Sequence, residues 1–119
     1  MSRSAILNHR TGQPIATRVI WRRNPIARGW GLMFRRHIGE DEAHVFVENR
    51  SSRVNAAIHM LFVFCPLGVI WLDAERRVVD TVLARPFRLL YMPARPARYF
   101  IEGHPVILDR VQVGDRLDL

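Results

Sequence analysis

Five histidines (His9, His37, His44, His59 and His104), one cysteine (Cys65) and eleven carboxylates are the groups from which this 119-residue chain could assemble an active site. None falls in a spacing that announces chemistry. There is no His-Glu-x-x-His zinc motif, no glycine-rich phosphate loop and no nucleophile elbow. The histidines are spread along the chain, and one cysteine does not complete an ordinary zinc set, so neither a metal nor a cofactor is expected. A general acid–base pair needs two titratable groups in mutual reach. His59 with Asp73 or Glu102 would supply one if the fold joined them. Taken singly, each has a quieter role: His59 as a hydrogen-bonded residue at a strand end, Asp73 as a turn cap, Glu102 as the partner of an arginine. Cys65, inside an apolar run, reads as a small buried hydrophobe. No catalytic residue is assigned.

The arginines are the other chemical resource. All 18 basic residues are Arg, and the net charge is +7. Residues 1–36 hold Arg3, Arg10, Arg18, Arg22, Arg23, Arg28, Arg35 and Arg36 and no acid. A localised basic surface attracts phosphates or acidic partners. The plainer alternative is a solvated arginine face reflecting residue usage.

The elements that must position these groups are short. One domain spanning 1–119 is expected from the length, large enough to bury its own core without disulfides or metal. The most apolar stretch, Ile58 to Asp73, has no charged side chain from Met60 to Leu72. It is shorter than the ~20 residues of a membrane span and is broken by Pro66 and Gly68, so no membrane is expected as a partner. Its Phe, Val, Ile and Trp content predicts two consecutive buried strands with a bend at Pro66–Gly68. Ser4–His9, Ala16–Trp21, His44–Glu48, Arg77–Leu83, Arg98–Glu102 and Arg116–Leu119 supply further strands. Asn24-Pro25 starts a short helix running to about Met33, with Ile26, Trp30 and Met33 on its buried side. Gly39–Glu42 reads as an acidic loop and Asn49–Arg53 as a polar turn. Asp73-Ala74-Glu75-Arg76 reads as a hairpin connection. Pro86, Pro93 and Pro96 make Arg85–Ala97 an irregular loop carrying Arg85 and Arg88 around Phe87 and Tyr91. His104–Arg110 forms a helical turn. The fold class is therefore mainly β: a compact single-domain barrel or sandwich of seven or eight short strands with one or two short helices. The N-terminal residues lack an apolar core of signal-peptide length, which points to the cytoplasm.

Four pieces of the chain resemble the domain of unknown function 192 family. They are Arg28-Gly29-Trp30-Gly31-Leu32-Met33-Phe34-Arg35; Ile58-His59 through Pro66, Val69 and Leu72-Asp73; Arg85-Pro86-Phe87-Arg88; and Tyr99 to Gly103 followed by Gly114-Asp115. The resemblance implies a compact, mainly β domain and no particular activity. Met60, Phe64 and Gly68 stand where the family usually carries a hydroxyl, a basic residue and a carboxylate.

These readings converge on a small non-enzymatic binding domain. Its surface for an anionic ligand or protein partner would be built from Arg28, Arg35, Arg85 and Arg88 near His59 and Asp73. The alternative is a nucleic-acid-binding module that uses the basic first third, with Trp21 and Trp30 as stacking residues. Self-association into a homodimer through edge strands is compatible with the first reading.

Overall fold

Alternating apolar residues build a five-stranded sheet whose two faces are both buried. In the computed structural model, which describes residues 5–23 and 32–119, eight strands form two sheets. They are β1 (Ile6–Asn8), β2 (Pro14–Ala16), β3 (Arg18–Arg22), β4 (Glu42–Ser52), β5 (Leu67–Leu72), β6 (Val78–Ala84), β7 (Ala97–Gly103) and β8 (Leu117–Asp118). The large sheet runs β3-β4-β7-β5-β6, and the small one β2-β1-β8. β3 lies parallel to β4; the other pairings are antiparallel. The large sheet ends at β3 and β6 and does not close on itself. The fold is mainly β and sandwich-like, and the barrel alternative is set aside.

The period of two along β4, β5 and β7 divides their side chains between two cores. Val45, Ile70, Leu72 and Ile101 point to the side covered by the small sheet and by a 3-10 helix, Pro105–Arg110. Phe46, Val69, Trp71 and Phe100 point to the other side. Phe46 and Phe100, opposite one another in register, stack with ring centres 4.7 Å apart. Loops cover this second face, contributing Leu32, Ile38, Ala56, Ile58, Met60 and Val63. Trp71 Nε1 donates to the carbonyl of Ala56 at 2.8 Å, fixing a loop to the sheet through a buried bond.

Several expected elements differ, and one falls outside the described residues. The helix started by Asn24-Pro25, with Ile26, Arg28 and Trp30, lies outside the described residues. Met33, at its expected end, is in a turn. The first half of Ile58–Asp73 is loop and not strand: only an isolated bridge, Ile58 to Tyr91, precedes the turn at Met60–Val63. Apolar composition cannot distinguish a strand from a packed loop when the segment lacks a ladder partner. Asn49–Ser52 extends β4 instead of ending it, and Glu42 begins that strand instead of closing a loop. The stretch Ala16–Trp21 splits at Thr17, where Thr17 and Arg18 both donate to the carbonyl of Asp41.

Gly68 is not a bend either. It lies within β5, directly opposite Gly103 of β7. A Cβ at Gly68 would stand 3.0 Å from Ile107 Cγ1 and 3.1 Å from the carbonyl oxygen of His104; one at Gly103 would stand 3.0 Å from the carbonyl oxygen of Glu42. The two glycines let the 3-10 helix settle on the sheet, with His104 Nδ1 capping it by accepting from the amide of Val106 at 3.0 Å. The His104 carbonyl is itself held by the amide of Ile107, so it cannot easily retreat. Gly68→Ala is therefore expected to destabilise the protein by about 1–3 kcal/mol, measured as a fall in urea midpoint at unchanged m-value. An unchanged midpoint would show that the helix is not seated as described.

Candidate functional site

Two groups of side chains stand out, one on the loop-covered end of the molecule and one beneath it. The surface group is built from three loops bonded backbone to backbone. The amide of Phe34 donates to the carbonyl of Phe62 at 2.6 Å, and that of Phe64 to Arg35 at 3.1 Å. Met60 and Phe87 continue the seam, Met60 N to Arg88 O and Phe87 N to Met60 O, both at 2.8 Å. Tyr91 Oη accepts from the amide of Arg85.

Each loop turns in the same way. Leu32–Arg35, Met60–Val63 and Arg85–Arg88 are four-residue turns closed by a bond from the fourth amide to the first carbonyl. The third residue has positive φ in each: Phe34 at 68°, Phe62 at 61° and Phe87 at 67°. This is the type II pattern, in which glycine is the favoured third residue and Pro86 occupies the favoured second position. A phenylalanine held there costs on the order of 1 kcal/mol or more. The rings gather on the surface: Phe34 stacks on Phe62 at 5.6 Å between centres, and Phe64 meets Phe87 edge-on at 5.3 Å. Phe34 is 57% exposed, Phe87 51%, and the neighbouring Leu89 70%. Arg36 lies over the ring of Phe64, 5.2 Å from its centre.

The predicted site residues divide accordingly. His59, Arg85 and Arg88 are exposed and lie on the two loops joined at Met60. His59 Nδ1 accepts from the amide of Leu61 at 3.2 Å. Arg35 belongs to the same loop end, but its guanidinium turns inward. Asp73 is elsewhere, at the far end of the β5–β6 hairpin from Arg85, a ladder length of ~20 Å away. It caps that hairpin, accepting from the amides of Glu75 and Arg77 at 2.9 Å each. Arg28 lies outside the described residues.

The second group was not foreseen from the sequence as a group; of its members only Glu102 was singled out, as a partner for His59 or for an arginine. Glu42, His44 and Glu102 are buried, on the large-sheet face that the loops cover. Arg35 grips Glu42 with both terminal nitrogens, at 3.1 and 3.2 Å, and His44 Nε2 lies 2.6 Å from Glu42 Oε2. Arg22 donates to His44 Nδ1 at 3.2–3.3 Å. A ring nitrogen that accepts from a guanidinium carries no proton, so His44 is neutral and donates to Glu42 through Nε2–H. Burial first, and the nearby Arg22 charge, keep its pKa below the ordinary histidine value despite Glu42. Burial alone would raise the pKa of Glu42; the bonds from Arg35 and His44 outweigh it and hold the carboxyl at about 2. Glu102 sits opposite His44 in register. Burial raises its pKa to about 7, Arg22 offsetting only part of the effect. The i, i+2 spacing of Glu42 and His44 was a usable signal. Glu102 comes into place only through strand pairing.

Charges of the first third are partly spent. Arg10 pairs with Asp115 at 2.7 Å, Arg18 with Asp41 and Glu42, and Arg35 with Glu42. Arg23 lies over the ring of Trp21. Among the described residues no group of three or more His, Cys, Asp or Glu side chains is arranged to hold a metal ion. Burial raises the pKa of Cys65, which keeps its thiol protonated and unreactive.

The model of the DUF192 family, described as "Uncharacterized ACR", matches residues 6–119. The chain belongs to this family. A UPF0127 protein of Pyrococcus furiosus is 38% identical over 115 residues, covering 95% of this chain and 96% of that one. A UPF0127 protein of Thermococcus kodakarensis is 47% identical over 88 residues, which cover 71% of this chain and 54% of the relative. A crystal structure of a protein of unknown function from Novosphingobium aromaticivorans has the same fold, with a TM-score of 0.86 over 98% of this chain and 85% of that one at 22% identity. These likenesses fix family and fold.

The buried acids make opposite demands on pH. Glu42 binds fewer protons folded than unfolded, so its stabilisation is complete above about pH 4.5 and lost as pH falls toward about 2. Asp115, held at about 2 chiefly by the Arg10 hydrogen bond, behaves likewise below its ordinary value of 3.8. Glu102 binds more protons folded than unfolded, so stability declines as pH rises from about 4.5 to about 7. Glu102→Gln is expected to match the parent at pH 4 and to exceed it at pH 8 by about 2–3 kcal/mol, read by urea unfolding at both pH values. A constant difference across that range would contradict this assignment.

Proposed function

We propose that the domain is a non-enzymatic binding module whose contact surface is the three-loop end, and that its partner is anionic. The observation that carries this reading is the convergence of Arg36, Arg85, Arg88 and His59 on loops joined by backbone bonds around exposed phenylalanines. The loop residues of that end, 32–38, 58–66 and 85–90, contain no Asp or Glu. Arg36, Arg85 and Arg88 make no ion pair among the described residues, so their charge is available to a ligand. Ion-pairing of Arg10, Arg18 and Arg35 leaves less support for nucleic-acid binding through the first third. A catalytic reading has less still, because Glu42 and His44 are committed to each other and to Arg22 and Arg35, below the surface.

Retention on an immobilised polyanion such as polyglutamate tests the reading. The protein is expected to bind, to elute earlier as salt rises, and to lose about tenfold or more in affinity when Arg85 and Arg88 become alanine. Retention unaffected by that double substitution, or absent at low salt, would remove it.

A further inference from the structure

We infer that the three-loop end docks on an anionic lipid bilayer, with the phenylalanine turn tips entering the interface and the arginines taking the headgroup phosphates. The inference rests on the binding surface proposed above and names its partner. Three separate turns each present a phenylalanine at a backbone position where glycine is the unstrained choice. Leu89 and Leu90, 70% and 61% exposed, continue the apolar surface beside Phe87. Exposed apolar surface of this kind, edged by charge, marks a site of contact with a protein or a membrane.

Charge and shape decide between occupants. A second copy of the same face would bring arginine against arginine, with no acid in these loops to relieve it. A single-stranded nucleic acid would need open ring faces, whereas Phe34 and Phe62 stack on each other and Leu89 and Leu90 offer no stacking surface. A folded partner would need a matched hollow for each protruding tip; a bilayer deforms around them. Apolar insertion together with basic residues is the pair of signals that peripheral attachment requires. Attachment of this kind is distinct from spanning, and no helix among the described residues is long and apolar enough to cross a membrane.

Sedimentation of the intact protein with vesicles is the test, using phosphatidylcholine alone and phosphatidylcholine mixed with phosphatidylserine. Binding is expected to the mixed vesicles and to be weak on the neutral ones, with Arg85→Ala costing roughly fivefold. The pair Phe62→Gly and Phe87→Gly is expected to lose tenfold or more. Glycine relieves the positive φ at both positions, so a melting temperature held at or near the parent's separates lost docking from lost folding. Soluble glycerophosphoserine is expected not to compete, because the turn tips need a bilayer to enter. The inference is overturned if mixed vesicles are not bound, or if the glycine pair binds them as well as the parent does. Retention on polyglutamate or an oligonucleotide without vesicle binding would overturn it and leave the anionic-surface reading standing. A dimer in light scattering that the glycine pair abolishes would replace the bilayer with a second copy.

Discussion

A sheet that is apolar on both faces has to be covered twice, and the rest of this structure follows from how the second cover is made. The face carrying Val45, Ile70 and Ile101 is closed by regular elements, the small sheet and the 3-10 helix. The face carrying Phe46, Trp71 and Phe100 is closed by loops. Irregular backbone over a core must still satisfy its amides and carbonyls. Pro86, Pro93 and Pro96 rule out an extended ladder in one of these loops. The loops solve this by bonding to one another, at Phe34–Phe62, Arg35–Phe64 and Met60–Arg88, and by hanging on buried side chains such as Trp71. A cover built this way holds its surface side chains in fixed positions. That explains how three phenylalanines remain exposed at strained turn tips.

The polar chain from Arg22 through His44 and Glu42 to Arg35 is the electrostatic counterpart of that cover. A buried carboxylate is costly unless its bonds are nearly all met. Glu42 meets them with two bonds from Arg35, one from His44 and one from Arg18. Arg35 comes from the first loop and Glu42 from β4, so the pair ties the aromatic surface to the sheet. Burial raises the pKa of Glu102, and only the charge of Arg22 opposes it, so no set of donors like that of Glu42 brings it down.

Local rules read much of this from the chain. The alternation along β4, the strand at Arg98–Glu102, the helical turn opened by His104, and the capping role of Asp73 depend on neighbours in sequence, and all four are present. Failures came where long-range pairing decides the outcome. Ile58–Pro66 is as apolar as a strand, but no neighbouring strand is available to it, so Phe62 and Phe64 reach the surface. Gly68 reads as a bend because a glycine in a strand is unusual, yet its reason is the close approach of Ile107 and His104. Arg85, Arg88 and His59 were legible as candidates, but the joining of their loops at Met60 was not; nor was Arg35 legible as the partner of Glu42.

The same distinction bears on Met60, Phe64 and Gly68, where the resemblance implies a hydroxyl, a basic residue and a carboxylate. Three such groups would line one pocket only if the positions shared a space. They do not. Met60 is fully buried in the core beneath the loops, and Phe64 lies at the surface under Arg36. Gly68 faces the 3-10 helix on the opposite side of the sheet, where a carboxylate would have to displace Ile107, Leu108 or the His104 carbonyl. Gly68 is thus tied to the seating of the helix. Met60 is tied to the core, while its amide and carbonyl hold the Arg85–Arg88 turn. Of the three, only Phe64 reaches the surface, where its ring joins the aromatic group beneath Arg36. Phe64 therefore adds apolar contact area to this end of the molecule beside the arginine that lies over it.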